Sequence, residues 1–124
     1  MTGARETIRS RVEVELDIFS GMPNPTWILT SDEADRFVKQ VAVLQPIAAR
    51  ERSGNLGYRG FIVHVTHGAH TQSIRIQTGI VEISKAGTSS FADDRDRRLE
   101  RWLLNTGRPH LKNEIFQIVE RELR

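Results

Sequence analysis

The chain predicts an α+β fold: an antiparallel sheet of about five strands, in the order ββαβββαα, with three helices packed on one face. Three observations predict it. Residues 11–19 alternate apolar and polar side chains, residues 61–83 contain three short β-branched runs, and three other segments repeat apolar residues at helical spacing. Strands joined by short turns pair antiparallel, and helices then gather on the face they cover.

In the first strand Val12, Val14, Leu16 and Ile18 share one face, and Glu13, Glu15 and Asp17 share the other. A turn-rich segment follows, and residues 26–29 resume as a short second strand. Thr30 with Glu33 three residues later forms a capping box, which starts a helix carrying Ala34, Phe37, Val38, Val41 and Leu44 inward. Pro46 is expected to stop it. After a loop reaching Gly60, Phe61, Val63 and Val65 face inward, then Ile74 and Ile76, then Val81 and Ile83. A two-residue turn at Thr78 and Gly79 pairs Gln77 with Ile80, Ile76 with Val81 and Arg75 with Glu82. The same facing rule around Gly68 to Thr71 pairs His64 with Arg75, giving an outer row His64, Arg75, Glu82. Ser89 or Ser90 caps the next helix, with Leu99, Trp102 and Leu103 inward. Pro109 opens the last helix, whose inner face carries Leu111, Ile115, Ile118, Val119 and Leu123.

Composition removes several functions. The 124 residues suffice for one core, so residues 11–124 are read as a single domain behind a flexible basic leader at 1–10. With no cysteine, disulfides, thiolate metal sites and thiol catalysis drop out. The pI of about 9.5 suggests a nucleic-acid partner. However, Arg5, Arg9 and Arg11 against Glu6 account for the whole net charge of +2, and the remainder is balanced. Without a basic face there is little to neutralise phosphates, which argues against nucleic acid. No secretion signal or membrane-spanning apolar run is visible, so a cytoplasmic protein is expected.

Two loops stand out. In the first, Pro23 and Pro25 flank Asn24 and Gly21 precedes them, so the backbone loses little entropy on binding. Asn24 offers a donor and an acceptor, and Trp27 a large flat ring. The plainer alternative is a rigid turn with Trp27 in the core. The second loop spaces Gly54, Gly57 and Gly60 by three around Tyr58 and Arg59. It precedes a strand, whereas a phosphate loop opens a helix, so no dinucleotide is expected. Tyr58 and Arg59 would suit an anionic or aromatic group, against the alternative of a tight turn with Tyr58 packed on the sheet end. His64, His67 and His70 tempt a metal reading, but His64 and His67 point to opposite faces of a strand, and no metal or cofactor is expected.

No nucleophile–base arrangement is legible. The expected function is a non-catalytic recognition or accessory domain, binding a peptide, protein or small ligand through loops 20–27 and 53–60 with Asn24, Trp27, Tyr58 and Arg59. If the strands beside the loops run antiparallel, Asn24 and Arg59 meet on one concave surface walled by Trp27 or Tyr58. As surface residues, both should tolerate alanine at a cost below about 1 kcal/mol. The alternatives are a small enzyme using Asp17 or His64 as acid–base group, and a homodimer formed through the open sheet face, where Phe19, Ile62 and Ile80 add apolar area.

Overall fold

The computed structural model describes residues 10–19, 21–51 and 57–124. The expected leader lies outside them except for Ser10, which opens the first strand, and so do Ser20 and residues 53–56 of the two loops. The protein is α+β, with one antiparallel sheet and, among the described residues, three α-helices. The elements are β1 (Ser10–Leu16), β2 (Thr26–Ile28), α1 (Ser31–Ala42), β3 (Gln45–Ile47), β4 (Phe61–His67), β5 (His70–Gln77), β6 (Ile80–Lys85), β7 (Thr88–Asp93), α2 (Arg98–Gly107) and α3 (Asn113–Glu122). The seven strands lie in the order β2-β1-β4-β5-β6-β7-β3. No described helix is long and apolar enough to cross a membrane.

Inward residues of the strands form one core with the helices. Val12, Val14, Leu16, Phe61, Val63, Ile74, Ile76 and Val81 join Phe37 of α1, Leu99 and Leu103 of α2, and Phe116 and Val119 of α3. Each such side chain contributes about 1.5–3 kcal/mol when removed from water. The capping box forms at α1: Thr30 Oγ1 accepts from Glu33 N at 3.2 Å, and Glu33 Oε1 accepts from Thr30 N at 2.9 Å. The hairpin register of β5 and β6 matches its expectation at all three pairs, with Thr78 and Gly79 both left-handed at φ 53° and 78°.

Several expectations are corrected. The described residues form seven strands, two more than expected: β3 lies where the sequence suggests a helix end, and β7 where it suggests a helix cap. Pro46 lies in β3, where an edge position spares it an unmet hydrogen bond. Residues 88–93 pair with β6, so α2 begins at Arg98; its first turn is capped by Asp94, whose carboxylate accepts from Leu99 N at 2.8 Å and Glu100 N at 3.0 Å. Pro109 sits in a 3-10 turn, Arg108–His110, ahead of α3. The β4–β5 turn has two residues, Gly68 and Ala69, so His64 faces Ser73 and Arg75 faces Ile62. The outer row is therefore Ile62, Arg75, Glu82, Phe91. Val38 and Ile118, expected inward, are exposed.

Strand order dictates one further feature. β3 lies at the far edge beside β7, so the chain must pass β7, β6 and β5 to reach β4. That return carries Arg50 and Glu51 to the open face of the sheet, the face away from the helices.

Candidate functional site

The two loops meet because β1 and β4 are antiparallel neighbours. The ladder continues past Leu16 and Phe61: Arg59 N donates to Asp17 O at 2.8 Å, and Asp17 N donates to Gly60 O at 3.0 Å. Gly60 is required here. Its φ is 92°, and a Cβ would stand 2.3 Å from the Ile76 carbonyl oxygen. Alternation turns Tyr58 inward and Arg59 outward.

Asn24 and Arg59 converge on Asp17, which is only 8% exposed. Asp17 Oδ1 accepts from Arg59 Nε at 3.2 Å and Nη2 at 2.9 Å, and Oδ2 accepts from Arg75 Nη1 at 3.0 Å. Asn24 Oδ1 accepts from Ile18 N at 3.1 Å and Phe19 N at 3.0 Å, folding the loop onto its own amide. Its Nδ2 donates to Glu15 Oε2 at 2.8 Å and reaches toward Asp17 Oδ1 at 3.4 Å. Glu15 Oε1 lies 3.1 Å from His64 Nε2. His64, Glu15, Asn24, Asp17, Arg59 and Arg75 thus form one continuous polar network on the open face.

Its electrostatics point away from proton transfer. Burial acts to raise Asp17, but the guanidinium groups of Arg59 and Arg75 outweigh it and hold the carboxyl below its ordinary range. The amide of Asn24 lowers Glu15, and burial opposes it without reversing it. Both groups are carboxylates at neutral pH, poorly placed to give or take a proton there.

Trp27 and Tyr58 are not part of this surface. Trp27 is 3% exposed and donates from Nε1 to Thr106 Oγ1 at 3.0 Å, with its ring edge-on to Phe61 and stacked on His110. Tyr58 is 5% exposed, and its hydroxyl donates to Glu100 Oε2 at 2.5 Å. Glu100, fully buried, also accepts from Gly79 N and from Arg97. The expectation that Trp27 or Tyr58 walls a concave surface is therefore corrected: each ring fills core space and spends its one polar atom on a distant element. His64 and His67 take separate partners, Glu15 and Ser10.

Beside the network lies a cavity of about 300 Å³, lined by Arg50, Glu51, Arg75, Gln77, Thr78, Ile80, Glu82 and Phe91. Arg75 belongs to both. Its side chain is fixed by Asp17 and by the Arg59 carbonyl oxygen, which accepts from Nη1 at 3.1 Å. Gln77 is 5% exposed, and its Nε2 has no hydrogen-bond partner. A buried donor left unpaired costs roughly 1–3 kcal/mol. Such a cost is normally avoided in a native fold and calls for an explanation.

Sequence reasoning missed Gln77 and Phe91. Alternation does place Gln77 on the outer face with Arg75, but a polar residue on an open face carries no signal of burial. Phe91 carried no signal, since its neighbours read as a helix cap. Comparisons with known proteins give no match to a family model, a curated protein or a solved structure.

Proposed function

We propose that the protein is a non-catalytic recognition domain whose binding site is the cavity on the open sheet face. The observation that carries this reading is the unpartnered amide nitrogen of Gln77 among the residues that line the cavity. A volume near 300 Å³ is at the small end of ligand pockets, which favours a small molecule or a single side chain of a larger partner. The network behind the cavity serves as its scaffold. Asn24 and Arg59 lock the two loops against β1, and Asp17 fixes Arg75 at the cavity wall, so little ordering remains to be done on binding.

The enzyme alternative receives less support, because Asp17 is committed to two arginines and His64 and Glu15 satisfy one another outside the cavity lining. The dimer alternative draws on Ile62 and Ile80, both half-buried, yet charged groups separate them from any broad apolar patch. Amide shift mapping with a set of small polar-aromatic fragments tests the reading. Hits should move Arg75, Ile80, Glu82 and Phe91; hits confined to the helical side would reject it.

A further inference from the structure

We infer that the ligand presents a carboxamide-like group, an acceptor and a donor side by side, to Gln77, with an apolar ring or chain lying against Ile80 and Phe91. This rests on the cavity being the recognition site. Gln77 has a shielded N–H with no partner at the cavity wall, and an acceptor on a ligand that settles against that wall would satisfy it. A terminal amide can also turn about its last bond, so the same buried position can present either a donor or an acceptor. A ligand amide answers both orientations, by pairing head to head through two hydrogen bonds.

Charge narrows the class further. Among the described lining residues, Arg50 and Arg75 stand beside Glu51 and Glu82, and Arg75 is held by Asp17. A free carboxylate would meet the carboxylates of Glu51 and Glu82, and a free amine the guanidinium groups of Arg50 and Arg75. A neutral polar head avoids both costs. The apolar part of the lining comes from Ile80 and Phe91, on adjacent strands and the same face. The polar and apolar requirements therefore lie next to each other, as in an aryl or alkyl carboxamide, a lactam or a side-chain amide of a peptide.

The class predicts how the site responds when Gln77 is replaced. Gln77→Leu removes the unpaired donor while keeping much of the volume, so the thermal midpoint should hold or rise while binding weakens. This combination marks a residue kept for a ligand rather than for the fold.

The experiment is an NMR titration of the full chain with three probes: benzamide, benzoate and N,N-dimethylbenzamide. Benzamide is expected to shift the Gln77 side-chain NH₂ signals together with the Ile80 and Phe91 amides, and to bind more tightly than either analogue. Loss of the paired hydrogen bonds in Gln77→Leu should weaken benzamide about five- to hundredfold. Should that variant fold poorly, a nuclear Overhauser contact between benzamide and the Gln77 amide protons in the wild type decides the same point. Tighter binding of benzoate, or benzamide affinity unchanged in Gln77→Leu, overturns the carboxamide class while leaving the cavity as the site. No shift of Gln77, Ile80 or Phe91 by any probe at its solubility limit overturns the site itself.

Discussion

Asn24 is the residue whose removal tests the scaffold most sharply. Its Oδ1 accepts two backbone N–H groups, from Ile18 and Phe19, and its Nδ2 donates to Glu15 at 2.8 Å. The longer reach to Asp17, 3.4 Å, adds little. Three good hydrogen bonds at a half-buried position, each worth about 0.5–1.5 kcal/mol net, give an expected loss near 2–3 kcal/mol for Asn24→Ala. That exceeds the cost of about 1 kcal/mol expected of a surface residue, because the side chain holds the loop instead of facing solvent. Urea unfolding should show a lower midpoint with an unchanged slope, the signature of a stability change without altered compactness. Asn24→Asp adds a second check. It keeps the acceptor but sets a third carboxylate beside Glu15 and Asp17. Repulsion from those carboxylates penalises the charged form, so the deficit against wild type should shrink as pH falls and the new carboxylate is protonated. A loss below about 0.5 kcal/mol for the alanine variant would refute the reasoning and leave the loop to Pro23 and Pro25.

Four other outcomes follow from the geometry and the electrostatics. Gly107→Ala places a Cβ 2.6 Å from the Trp27 ring and should cost about 1–3 kcal/mol by overpacking, read by thermal or urea unfolding. Thr78→Asn should stabilise by roughly 0.5–1 kcal/mol, since φ 53° strains a β-branched residue and suits Asn in this turn. Stability should hold from neutral pH down to about 4.5 and then decline, because Glu15, Asp17 and Glu100 have folded pKa values below their ordinary ones. A group depressed in the fold contributes stability above its unfolded pKa and loses it as pH falls through the folded one. Asp94, raised by burial, acts with the opposite sign, so Asp94→Asn should steepen that decline, as measured by urea unfolding at stepped pH.

What the sequence made legible had local causes. The alternation of Val12, Val14 and Leu16 needs only the pleat, the capping box needs only Thr30 and Glu33, and the Thr78 turn fixes its own register. The strands that were missed, β3 and β7, are short or polar: Pro46 reads as a helix stop, and Thr88, Ser89 and Ser90 read as a cap. Their pairing is a tertiary fact. The same holds for the site. The meeting of Asn24 and Arg59 was foreseen conditionally, on antiparallel pairing. The burial of Trp27 and Tyr58 depends on Thr106 and Glu100, which lie 79 and 42 residues away. The burial of Gln77 is a tertiary fact too, since its outward place in β5 alone would leave it to solvent.

Filling the cavity tests the central claim most directly. Ile80 is half-buried, faces the cavity from the first position of β6, and sits where a strand accepts an aromatic residue. Ile80→Trp should occupy that space while leaving the midpoint within a few degrees of wild type, roughly the shift of a surface change. Calorimetric titration of wild type and variant with the tightest-binding carboxamide fragment compares the two. Recognition at the open face predicts that affinity falls at least about tenfold in the folded variant, equivalent to about 1.4 kcal/mol. Equal affinity in the two proteins would contradict it and move the site elsewhere.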